Sequence, residues 1–177
     1  MNYQRLPLEK TALAVFPTTT GLSWMLFDGP LSPVDWGGSA LAKRVKGDKE
    51  KNAGLLAEIR RVIALHRPQT LVLEDFESSA SRREERIRAL SRSIVALAAV
   101  EIIDLHIVSR KQLSACFASS KAATRYEVAN VVASYIPEIR RFLPPKRKAW
   151  EPDKHIMGLF NATALLIAHF ANPREPL

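Results

Sequence analysis

Hydrophobic and polar positions change period several times along the chain. Thr11 to Val15 is a short apolar run that reads as a buried strand halted at Pro17. Thr18-Thr-Thr-Gly21 has turn chemistry, and Leu22 to Phe27 is a second strand. Asp28-Gly29-Pro30 is a tight turn, and Leu31 to Gly37 a third strand closed by Gly37-Gly38. These three make an antiparallel meander.

From Asp48 the period becomes helical. Leu55, Ile59, Val62, Ile63 and His66 share a face and Pro68 ends it. Leu71 to Glu74 is a short apolar run of the kind buried on both faces of a sheet, with an acid at its C-terminal end. Ile87, Leu90, Ile94, Leu97 and Glu101 then predict a helix over 81–101, and Ile103 to Val108 predicts another strand. Ser109 opens a further helical segment, and Ala122 to Tyr135 another whose inner face is Val128, Val131, Val132 and Tyr135. A basic, proline-containing connection from Arg140 to Lys154 leads to a last apolar helix ending near Phe170. The run from Ile156 to Ala171 is shorter than the roughly 20 residues a bilayer requires and carries Asn161 and His169, so it reads as a buried helix and no membrane partner is expected.

Composition adds the partner class. The 177 residues are 47% hydrophobic and 25% charged, which excludes disordered, collagen-like and coiled-coil chains and suits one domain over 1–177 with loose ends at 1–10 and 171–177. Lys and Arg outnumber Asp and Glu by 26 to 18, a net charge of +8 that favours nucleic acid. A single cysteine, Cys116, leaves no internal disulfide, fits a reducing, cytoplasmic setting and reads as a packing residue. No secretory leader pattern opens the chain. The four histidines lack zinc spacing, and there is neither a nucleophile elbow nor a P-loop.

Five segments occur in one order at compatible spacing: Val15-Phe16-Pro17 with Gly21 in the following turn, Leu73-Glu74-Asp75-Phe76, Ala123 to Ala129 with Arg125, Leu143 to Trp150, and Leu159-Phe160-Asn161-Ala162. Together they resemble the RuvC-like Holliday junction resolvases over roughly residues 11 to 170. The resemblance implies an α/β, ribonuclease H-like fold: a five-stranded mixed sheet, three antiparallel then two parallel strands, flanked by helices. It also implies a homodimer, matching the two-fold symmetry of a junction.

The family's chemistry uses acids from the first strand, the fourth strand and the last helix to hold two divalent ions about 4 Å apart. Here Phe16 and Asn161 stand at the first and third positions, and Glu74 alone keeps its acid, as the remaining catalytic and metal-binding candidate. One carboxylate cannot offset two divalent charges. Asp75 is the second acid considered, although adjacent strand residues face opposite ways. Asp28 ends the second strand, away from the cluster. Asp153 precedes Asn161 by about two turns and stands about 80° around the helix, Lys154 falls on nearly the same face as Asn161, and His155 is a candidate base.

Basic candidates for nucleic-acid contact are Arg82, Arg83 and Arg86 at the start of the second helix, Lys121 and Arg125, and Lys146, Arg147 and Lys148 in the proline-stiffened connection. The second-helix arginines also fit a solvated face paired with Glu84 and Glu85, and Trp150 fits a loop staple as well as a base-stacking platform. The leading expectation is a protein that binds branched or duplex DNA through its phosphates, with endonuclease activity lost or strongly reduced. Two alternatives stand beside it: an active Mg²⁺-dependent junction endonuclease with a rearranged site built from Glu74, Asp75, Asp153 or His155, and a catalytically dead interaction subunit.

Overall fold

The structure, a computed structural model, describes residues 11–41, 44–78, 84–146 and 156–171. Its elements are β1 (Thr11–Thr18), β2 (Gly21–Asp28), β3 (Pro33–Ala40), α1 (Asp48–His66), β4 (Thr70–Glu74), α2 (Glu85–Val100), β5 (Asp104–Val108), α3 (Arg110–Phe117), α4 (Arg125–Tyr135) and α5 (Met157–Ala171), with 3₁₀ turns at Ala118–Ser120 and Pro137–Phe142. The sheet order is β3-β2-β1-β4-β5. β1 pairs antiparallel with β2 and parallel with β4, β2 antiparallel with β3, and β4 parallel with β5. The fold class expected from the sequence, three antiparallel then two parallel strands flanked by helices, is the one observed.

Side-chain alternation divides the core into two layers. Ala12, Ala14 and Phe16 of β1 face one way, with Met25, Phe27, Val72 and Val108, and are covered by α3, α4 and α5. Leu13 and Val15 face the other way, with Leu22, Trp24, Leu26, Leu71 and Leu73, against α1 and α2. The small alanines of β1 leave room for α5, which is apolar all round, as a helix enclosed by protein must be. Its buried Thr163 is satisfied by donating Oγ1–H to Leu159 O at 2.8 Å. Gly158 is the point of closest approach: a Cβ there would stand 2.5 Å from Ser23 Oγ and 3.1 Å from Thr18 Cγ2. No helix among the described residues is long and apolar enough to cross a membrane.

Several boundaries differ from the sequence reading. Pro17 does not stop β1. Odd residues of β1 aim their backbone polar groups towards β4, as Thr11 O does in accepting from Gln69 N at 3.0 Å. The β1–β4 ladder ends at Ala14↔Val72, so no ladder bond requires an N–H at position 17. The turn after β2 is wider than three residues: Asp28 N donates to Ser32 O at 2.9 Å, and Leu31 takes a left-handed φ of 54°. β3 therefore starts at Pro33 and runs through Gly37 and Gly38, where the missing Cβ of Gly37 admits the Trp24 ring.

α4 begins three residues later than expected because Thr124 and Glu127 form a capping box. Its inner face is Ala129, Val132 and Ala133, while Tyr135 is 48% exposed. Glu101 caps the end of α2 on the surface and is not part of its packed face. The connection after α4 begins with a 3₁₀ turn seated by the buried Ile139. Ala171 belongs to α5, whereas 1–10 and 172–177 lie outside the described residues.

Candidate nucleic-acid interface

β1 and β4 run parallel, so their C-terminal ends lie side by side. From the pair Ala14↔Val72, two residues further on each strand bring Phe16 and Glu74 to the same end of the sheet and, by alternation, to the same face. That face is the one α5 crosses, and α5 carries Asn161. The three side chains meet in one cleft of about 360 Å³, whose lining includes Phe16, Glu74 and Asn161 with Arg110, Thr124 and Arg125. Phe16 is only 6% exposed, so its ring belongs as much to the core as to the cleft.

Arg110 and Arg125 each arrive on a helix start. Glu74 pairs with Val108, the last residue of β5, and the chain turns at once into α3 through a capping box in which Ser109 Oγ accepts from Gln112 N and Gln112 Oε1 from Ser109 N. Arg110 is therefore delivered over Glu74, with 4.0 Å between Nε and Oε1. The Glu74 side chain is 10% exposed and that of Arg110 61%. Arg125 is the first residue of α4. The Glu127 carboxylate behind it accepts from the backbone N–H groups of Thr124 and Ala123, which holds its pKa below the ordinary value, with Lys146 adding a smaller attraction. Lys146 thus stands by the start of α4, exposed, and Lys121 is exposed just before Ala122 on the cleft wall. A cation in the first turn of a helix opposes the helix dipole, so two such arginines at one opening form an arrangement that gains from an anion between them.

Other candidates are placed elsewhere. Asp75 does not line the cleft: its Oδ1 accepts from Glu77 N and Ser78 N, both at 3.1 Å, and shapes the turn after β4. Arg86 is corrected from a DNA contact to an internal clamp. It is 7% exposed, and its guanidinium donates to Thr18 O at 2.8 Å, Thr19 O at 3.2 Å and Asn52 Oδ1 at 3.2 Å, while Asn52 Nδ2 donates back to Arg86 O. Further along α2, Arg92 pairs with Glu85, one of the two acids named in the solvated-face reading, and with Glu77. Asp28 sits opposite Thr11, at the far end of β1 from Phe16. Cys116 packs partly buried against the core and burial raises its thiol pKa. Arg82, Arg83, Arg147, Lys148, Trp150, Asp153, Lys154 and His155 lie outside the described residues. Arg110 was missed from the sequence, although its signal was there: a Ser-x-x-Gln box directly after a strand fixes a helix start, and the next residue is basic.

Among the described residues the donor set does not fit a pair of divalent ions. Phe16 offers no ligand atom, Asn161 a neutral amide, and Glu74 one carboxylate that already has a guanidinium beside it. Among the described residues no group of three or more His, Cys, Asp or Glu side chains is placed to hold a metal.

Comparison with solved structures decides the fold family. Thermus thermophilus RuvC superposes with a TM-score of 0.65 at 15% identity, covering 90% of this chain and 93% of that one. The chain has the RuvC-like resolvase fold. The T. thermophilus RuvC structure solved with a Holliday junction substrate gives 0.62 at 15% identity, over 90% of this chain and 92% of that one. The yeast mitochondrial Holliday junction resolvase Ydc2 gives 0.64 at 10% identity, over 94% of this chain and 80% of that one. No protein-family model matches the sequence, and no curated protein matches it. The likeness is thus one of fold, in keeping with the motif resemblance read from the sequence.

Proposed function

We propose that this protein is a RuvC-like DNA-binding protein that grips branched or duplex DNA by its phosphates, with two-metal endonuclease activity lost or strongly reduced. The observation that carries the reading is the convergence of Phe16, Glu74 and Asn161 on one cleft that also holds Arg110 and Arg125. The position of the cleft is that expected for a nuclease of this fold, while its chemistry is cationic. Two-metal hydrolysis needs clustered carboxylates to bind both ions and orient the attack. With one carboxylate among its described residues, the cleft is suited to holding a phosphate. In this reading the protein acts as a homodimer, because a four-way junction presents two equivalent strands. Lys121 and Lys146 extend the positive surface from the cleft, and Arg82, Arg83, Arg147 and Lys148 are proposed to continue it.

The test is incubation of the purified protein with a labelled four-way junction and a matched duplex, with Mg²⁺ or Mn²⁺. Binding without cleavage, weakening steeply with salt, is the expected result. Cleavage abolished by Glu74→Gln would establish a rearranged Mg²⁺ endonuclease instead. Absence of binding even at ~50 mM salt would favour the interaction subunit.

A further inference from the structure

We propose that Arg110 is the resident cation of the cleft: its guanidinium stands beside Glu74 where a bound divalent ion would otherwise be required, so that a backbone phosphate is held there without metal. The inference rests on the DNA-binding reading and specifies how the site works. Among the described residues lining the cleft, the charged side chains are Glu74, Arg110 and Arg125. An arginine remains charged at every physiological pH and cannot be removed by a chelator. The 4.0 Å separation between Arg110 Nε and Glu74 Oε1 is charge pairing without a close hydrogen bond, and the side chain is mostly exposed. Its planar fork therefore keeps donors for a phosphate oxygen, and the Ser109–Gln112 capping box fixes the helix start that carries it beside the opening.

The arrangement reverses the role of the acid. In a metal-dependent site, removing the carboxylate removes the cation and with it the phosphate. Here, removing the carboxylate leaves the cation in place and takes away a negative charge that repels DNA.

The experiment uses the full chain and a fluorescein-labelled duplex or junction, read by anisotropy in EDTA and in Mg²⁺ at matched ionic strength. Equal affinity in the two buffers is expected. Glu74→Gln is expected to bind several-fold tighter, and Arg110→Gln about tenfold weaker, with its salt slope reduced by about one. Binding that requires Mg²⁺, or that weakens in Glu74→Gln, overturns the proposal.

A second measurement does not depend on DNA. In a background carrying Phe16→Asp and Asn161→Asp, adding Arg110→Gln should raise Mn²⁺ affinity by about tenfold, read from the free-ion electron paramagnetic resonance signal, because a competing cation has been removed. Unchanged Mn²⁺ affinity in folded protein overturns the resident-cation role whatever the DNA result. If no DNA binds but the Mn²⁺ shift is seen, the DNA-binding reading fails and the charge substitution stands. Should the Phe16→Asp background fail to fold, Asn161→Asp with and without Arg110→Gln supplies the same comparison.

Discussion

Two arginines near helix starts have opposite fates. Arg86, near the start of α2, points inward and donates to the carbonyls of the β1–β2 hairpin and to Asn52 on α1. Arg110, at the start of α3, points into an open cleft beside Glu74. The side chains are chemically identical and both sit in basic, polar stretches of sequence. Their neighbours differ. The hairpin at the end of β1 presents the Thr18 and Thr19 carbonyls to the covering helix, and one arginine there donates to both. The end of β4 exposes a carboxylate beside solvent, and the arginine there keeps an open side. The first arginine ties down the end of the strand that carries Phe16, and the second stands in the wall of the cleft itself.

Arg86→Ala should produce the largest effect on stability, about 3 kcal/mol, because it removes the charge-assisted bonds of a buried guanidinium to Thr18 O, Thr19 O and Asn52 Oδ1. Urea denaturation measures it, and a loss below about 0.5 kcal/mol would show that the clamp is incidental. Arg110→Ala in the same assay should fall within about 0.5 kcal/mol of the parent, since an exposed pair at that distance contributes little to folding. A large loss would erase the distinction between the two arginines.

Gly158→Ala tests the α5 seat that brings Asn161 to the cleft. The added methyl meets Ser23 Oγ and Thr18 Cγ2, so a loss of about 2 kcal/mol is expected by thermal denaturation. Thr124→Ala removes the cap that starts α4 and aims Arg125, and should cost about 1 kcal/mol.

The smallest effect concerns Glu127. Its native pKa is lowered, chiefly by the backbone N–H groups of Thr124 and Ala123, relative to 4.5. A carboxylate depressed on folding stabilises the native state above its unfolded pKa and loses that contribution as pH falls through the native value. Glu127→Gln should therefore flatten the stability profile below about pH 4.5 and leave its shape unchanged near neutrality. An unaltered acid limb would show that the capping carboxylate does not contribute to acid unfolding.

Much of the architecture was legible because each strand and helix carries its own period. The meander, the acid-ended β4 and the apolar α5 all follow from local patterning, and the positions of Phe16, Glu74 and Asn161 along the chain were enough to suggest a shared site. Local patterning misjudged Pro17, which is tolerated because the ladder to β4 has already ended beside it, a fact about a strand more than fifty residues away. It also misjudged Tyr135, since Ala129 and Ala133 let α4 pack closely on a face rotated from the larger residues. Asp75 was an acid next to an acid, and only the turn after β4 shows its oxygen accepting from two backbone N–H groups.

The sequence by itself determined the order and type of most elements, the presence of Phe16 and Asn161 at two positions where the resemblance implies acids, and the excess of positive charge, because these depend on residue identity and near-neighbour spacing. Tertiary structure alone decided which cations face the cleft. Arg86 turns into the hairpin, whereas Arg110 enters over Glu74 because β4 and β5 pair in parallel and α3 starts where β5 ends. The direction of a charged side chain is set by the oxygens within its reach, and those oxygens are supplied by a distant part of the chain.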